Sequence, residues 1–217
     1  MHHHRTRTRL GAAGIALAGA LFLLYEALAP RADETTLEGA AAWASTGWSL
    51  AHIAAILGLV LIPMTWSALR THLETAGDGG SERTAFLAAA TGYLGSGLAI
   101  SYYGAETYGL RAIGERAMAD GDASLTGIGE DFRMDPTAVT VFAIGLALIA
   151  LAAVLAAIAV WRSGTMHRWS AIPLAAMMVL YLPQFFAPHP LRIAWGAAVT
   201  AGSLWIAWEL WRAARRP

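Results

Sequence analysis

His52 is the one histidine inside a long apolar run, and Ser45, Ser49 and His52 recur at a spacing that places them on one helical face. A neutral imidazole there can tie a bundle together by donating to a carbonyl or hydroxyl. It can also exchange a proton near neutral pH. Glu106 stands in the run Ser101-Tyr-Tyr-Gly-Ala-Glu106-Thr-Tyr-Gly-Leu-Arg111. On a helix Ser96, Tyr103 and Glu106 fall within an arc of about 80°, with Tyr102 one turn before the carboxylate. A carboxylate flanked by phenols in a partly dry setting can serve as acid or base. The plainer reading is an interfacial ion pair with Arg111 or Arg192. His52, Glu106 and Tyr103 are therefore the candidate catalytic residues, and a reaction would need the first two within reach of each other.

Gln184 follows Pro183, His189 lies in the tight link Ala187-Pro-His-Pro190, and Arg192, Gly196, Thr200 and Ser203 share one stripe. Glu26 stands at similar height. A charged or strongly polar side chain in a span costs about 2.5–3.5 kcal/mol on insertion scales, so each is a candidate site residue. Most lie towards one membrane face, with His52 about 7 Å below its edge. The sequence therefore predicts an outward pocket in which His52, Glu106, Gln184, His189, Arg192 and Glu26 bind a small molecule. Glu209 and Thr65, near the other face, show that polar residues also occur without such grouping.

The fifteen basic residues are all Arg, and Cys is absent. That excludes Schiff-base chemistry on lysine, thiolate metal sites and c-type haem attachment. His52, Glu106 and His189 are the weak candidates for metal ligands; a haem would lack the facing histidine pair of multi-haem membrane cytochromes. No cofactor can be named. Asp120, Asp122, Ser124, Thr126 and Asp131 follow a calcium-loop spacing. Leu125 occupies the position that wants Gly and Asp131 the one that wants Glu, so a solvated acidic loop is expected.

The elements that must position these groups follow from composition. Of 217 residues 57% are hydrophobic and 14% charged, with a mean hydropathy of +0.49, against about 45–50% and about 25% in soluble domains. A soluble enzyme or nucleic-acid binder is excluded, and the lipid bilayer is the expected partner. Six windows, 10–28, 48–66, 84–103, 137–161, 169–186 and 191–211, approach the roughly 20 residues needed to cross a bilayer. The fold expected is all-α: a single polytopic membrane bundle of six transmembrane helices over residues 1–217.

With the N-terminus inside, ten arginines, Arg216 among them, fall on the inner side and five on the outer, where ten acidic loop residues also lie. The positive-inside rule then places both termini in the cytoplasm of a cell membrane. The richness in Ala, Gly and Arg is that of a GC-rich, bacterial coding sequence. The first window mimics a signal peptide, but Pro30 after Ala27-Leu-Ala29 fits a peptidase site poorly, so a retained anchor is expected. Leu110, Ile113 and Ala117 recur at helical spacing, which predicts a short amphipathic helix over 108–118 lying on the outer membrane surface. Span 137–161, with Thr140 as its only interior hydroxyl, is expected to face lipid. Tyr25, Trp48, Trp66, Trp161, Trp169 and Trp195 read as interfacial anchors.

Three functions fit this reading: a binder or transporter of a small anionic or zwitterionic molecule, an intramembrane enzyme or redox protein built on His52 and Glu106, or an accessory subunit whose polar groups only pack the bundle. A transporter should show a broken helix and a polar route inward.

Overall fold

The computed structural model describes residues 2–215, and these form helices and turns with no strand. Arg216, counted above on the inner side, lies outside the described residues. In chain order the helices are α1 (His2–Leu28), α2 (Leu37–Ala44), α3 (Thr46–Thr75), α4 (Gly79–Ala105), α5 (Arg111–Asp120), α6 (Thr126–Arg133), α7 (Pro136–Ser163), α8 (Ile172–Val179) and α9 (His189–Ala213). Local chemistry sets their ends. Ser45 Oγ accepts from the Trp48 N–H to cap α3, Asp78 caps α4, and Asp135 followed by Pro136 opens α7.

Four helical stretches, His4–Leu28, Thr46–Thr75, Gly79–Asp120 and Pro136–Ser163, are long and apolar enough to cross a membrane. At 30 residues, α3 is about 45 Å long, against about 30 Å of hydrocarbon. The window 169–186 is not one continuous helix. Its helix α8 has eight residues, and after a turn the chain makes a 3-10 turn over Pro183–Phe186. Pro183 has no N–H to continue the ladder. The Met177 carbonyl, freed at the end of α8, is met by the Trp195 indole N–H at 2.9 Å. Helix α9 has 25 residues and is long enough to cross, but Arg192, Glu209 and Arg212 lower its hydropathy.

The long elements pack in a ring in the order α1, α3, α4, α7, α8, α9 and back to α1. Small residues let neighbours approach: a Cβ on Gly95 would lie 2.7 Å from the Gly145 carbonyl, and Gly11 faces Ala68. Helix α7 is not wholly lipid-facing, because Gly145, Leu146, Ile149, Ala152 and Ala156 are buried, on the side where α7 meets α4. Below the end opposite the N-terminus, the interior is filled by Phe22, Leu59, Ile62, Trp66, Leu146 and Ile149, all buried. Tyr25, Trp48, Trp66 and Trp195 also point inward, 1–6% exposed, whereas Trp161 and Trp169 remain at the surface.

At the end opposite the N-terminus, α2, α5 and α6 form a cap around Trp43, Trp48 and Leu110, with Ile113 and Phe132 against them. This corrects the expected surface helix. Helix α4 runs on through a wide π turn over Glu106–Leu110 into α5, whose apolar stripe finds protein: Gly114 is so close to α2 that a Cβ would sit 2.4 Å from the Ala40 carbonyl. The acidic segment is local structure as well. Asp120 pairs with Arg116, Asp122 accepts from the Ser124 N–H, and Thr126 opens α6.

Candidate functional site

His52 lies on α3 less than two turns from its capped start and is 2% exposed. Its Nδ1 is 2.9 Å from the Trp48 carbonyl oxygen. A carbonyl can only accept, so Nδ1 carries a proton and Nε2 presents either a lone pair or, in the imidazolium, an N–H. Nε2 faces Glu106 Oε2 at 3.6 Å. The pair sits beyond direct hydrogen-bond length and within ion-pair reach. One proton satisfies both groups, as imidazolium against carboxylate or imidazole against carboxylic acid. Glu106 is placed by the π turn that it begins, and Trp48 holds that turn with its indole N–H on the Glu106 carbonyl at 3.2 Å. Such wide turns are frequent at functional positions in helices.

The imidazole has aromatic walls. The Trp48 ring lies 4.0 Å from it between centroids, the Tyr25 ring meets it edge-on at 5.5 Å, and Tyr103 is 6.0 Å away. The Tyr103 hydroxyl is 2.9 Å from that of Tyr181, which ties α4 to the turn after α8. On the side of the cap Arg133 approaches Glu106 Oε1 at 3.8 Å, pairs with Glu34 and lies over Trp43 at 5.4 Å. Burial opposes charge on Arg133, but the Glu34 hydrogen bond and the carboxylates of Glu34, Glu106 and Glu130 outweigh it and hold the guanidinium above its ordinary value. Glu106 and Arg133 are each 13% exposed by side chain, the reachable edge of the cluster.

A second group adjoins the first through Tyr25. Glu26 is fully buried. Its carboxylate accepts from Arg192 Nε at 2.9 Å and Nη2 at 3.3 Å, and from Arg31 at 3.1 Å. This two-pronged pair joins α1 to α9, and His189 Nε2 adds a contact to the Glu26 carbonyl at 3.1 Å. Gln184 is buried after Pro183, one turn beyond Tyr181, and neither its amide nitrogen nor its amide oxygen has a hydrogen-bond partner. A buried amide left so costs about 1–3 kcal/mol, and with the Arg133 Nε, also buried without a partner, it is an open polar group of this end.

The structure thus brings His52, Glu106 and Tyr103 together, brings Glu26, Arg192 and His189 together beside them, and leaves Gln184 unengaged. Glu106 pairs with His52 and Arg133, not with Arg111 or Arg192; Arg111 instead donates to Ser49 at 2.9 Å. Among the described residues no group of three His, Asp or Glu side chains could hold a metal, so His52, Glu106 and His189 do not assemble as ligands. Arg133, Glu34 and Trp48 escaped sequence reasoning. Arg133 counted there only as an outer charge, and its contacts with Glu34, Glu106 and Trp43 are all to parts of the chain distant in sequence. At the opposite end of the bundle Glu209 accepts from the His167 N–H at 3.1 Å and Thr65 donates to the Gly11 carbonyl at 3.2 Å, which closes turns and helix contacts. No family model, curated protein or solved structure matches this chain.

Proposed function

We propose that the chain is a six-helix integral membrane protein, both termini cytoplasmic, whose outer polar cluster binds a small anionic or zwitterionic molecule in step with the proton of the His52–Glu106 pair. The observation that carries this reading is the 3.6 Å approach of His52 Nε2 to Glu106 Oε2 with Nδ1 committed to Trp48. An anion entering beside the imidazolium would stand next to the Glu106 carboxylate. The like-charge repulsion is relieved when Glu106 takes up a proton. The open amide of Gln184 supports the reading, since a solute can satisfy it. The six crossings rest on the ring of alternating helices and on the Arg distribution; α8 with its 3-10 turn is the short fifth element, acceptable in a membrane because protein surrounds it.

The buried apolar side chains beneath the cluster favour binding over conduction, since a polar route to the inner face is what transport would need. The closeness of His52 and Glu106 favours acid–base catalysis as the second reading. Trp48, whose ring lies on the imidazole, is the natural reporter. Its fluorescence in the purified chain should change saturably with at least one member of a panel of small carboxylates, amino acids and inorganic phosphate. His52→Ala should abolish that change at unchanged folded yield. No saturable change for any member with the intact protein would overturn the binding reading; turnover of a bound member would establish the second.

A further inference from the structure

At the membrane end opposite the polar cluster, two cavities adjoin in the groove between α1, α3 and α4. One, of about 390 Å³, is lined by Arg7, Arg70, Glu74, Ser67, Thr71 and Tyr93 among others. The other, of about 340 Å³, shares Arg7, Ser67, Thr71 and Tyr93 with it and continues along Leu10, Gly11, Gly14, Leu61 and Met64. The groove therefore runs from charged groups at the membrane edge, past hydroxyls, to an apolar slot. Met64 and Tyr93 are each 50% exposed, so the slot opens towards lipid.

Its charges have opposite sign and different engagements. Arg70 donates to Glu82 at 2.5 Å and lies over Phe86 at 4.8 Å. Among the described residues Arg7 and Glu74 have no ion pair, though they line the same cavity. Between them Ser67 donates to the Tyr93 hydroxyl at 3.4 Å and Thr71 to the Ser67 carbonyl at 3.1 Å.

We infer that this groove binds an aminophospholipid of the phosphatidylethanolamine type, its phosphate on Arg7, its primary ammonium on Glu74 and its acyl chain along Leu10, Leu61 and Met64. A purely anionic headgroup would leave Glu74 facing negative charge. A quaternary ammonium could not donate to the carboxylate. A soluble phosphate ester would leave the apolar slot in contact with lipid tails and gain nothing from it. The inference needs only that these helices lie in a membrane, and it stands or falls separately from the outer cluster.

Native mass spectrometry of the full chain, loaded with phosphatidylethanolamine, phosphatidylglycerol or phosphatidylcholine of matched acyl chains, tests it. Phosphatidylethanolamine should be retained best. Glu74→Gln should cut its retention about fivefold, the equivalent of about 1 kcal/mol for a charge pair near the surface, and bring it level with phosphatidylcholine. Glu74→Asp should keep the preference. Arg7→Gln should lower retention of all three lipids, and Met64→Trp should do so without altering either charge. Thermal unfolding of each variant separates lost lipid from lost fold. Equal or better retention of phosphatidylglycerol, an unchanged preference in folded Glu74→Gln, or competition by free phosphoethanolamine as strong as by the lipid would overturn it.

Discussion

The His52 imidazole is held between two acceptors, the Trp48 carbonyl at 2.9 Å on Nδ1 and the Glu106 carboxyl at 3.6 Å on Nε2. The first contact fixes the tautomer and leaves the second side as the only one that can change. In a nitrogen-15 spectrum the neutral ring should therefore carry its proton on Nδ1. A neutral ring protonated on Nε2 would show that Trp48 does not orient it.

The Glu26–Arg192 pair should be structural. Arg192→Leu leaves a carboxylate with no solvent and only Arg31 beside it, and breaking a buried pair from one side costs about 3–5 kcal/mol. Unfolding in detergent should show a loss of that order, with a large part recovered in Glu26→Leu/Arg192→Leu. Equal loss in single and double variants would mean that shape, not charge, decides there.

The α4–α7 seam should reject added volume. Gly145→Val puts a side chain where even a Cβ would lie 2.8 Å from Ala99 N, and overpacking of this kind costs about 1–3 kcal/mol. Gly97→Ala, on the facing helix α4 but with open space around it, should be close to neutral. The two folded yields, compared directly, check the seam.

The turn before α4 supplies a pH dependence. Asp78 accepts from the Ser81 N–H at 3.1 Å, and the Ser81 side chain, together with that backbone N–H, holds its carboxyl below the ordinary aspartate value. The folded value is depressed, so the stabilisation is complete above the unfolded value and disappears as pH falls through the folded one. The protection of the Ser81 N–H from exchange, relative to an unstructured amide at the same pH, should fall across that acid window in the wild type. In Asp78→Ala it should be low throughout.

Reporter fusions address the crossings. A fusion at Gly79 should report the cytoplasm and one at Gly121 the outside. An outside signal at Gly79 would invert the arrangement.

Long apolar helices were legible because length and hydropathy are local, and Asp135 followed by Pro136 marks a start by chemistry that needs no partner. The cap was not. Helices α2 and α6 are short and owe their form to Trp43 and Leu110, contacts between distant parts of the chain. The run 169–186 is broken where apolarity alone predicts one helix, because apolarity measures length, while Pro183 decides whether the helix continues. In the site, His52 and Glu106 could be placed at one height by counting residues. The approach of Arg133 depends on a π turn whose extra width shifts the register after Glu106, and nothing in the spacing announces it. Trp48 and Tyr25 looked like membrane anchors because sequence shows their height and not the direction in which they point.

The central claim is that solute binding and the proton of His52–Glu106 go together. Calorimetric titration of the solute identified by Trp48 fluorescence, run in two buffers of different ionisation enthalpy, counts protons exchanged on binding. The intact chain should take up about one proton per anion bound, and Glu106→Gln should bind with none. Binding with no proton exchanged by the intact chain, or the same uptake in Glu106→Gln, would contradict the account.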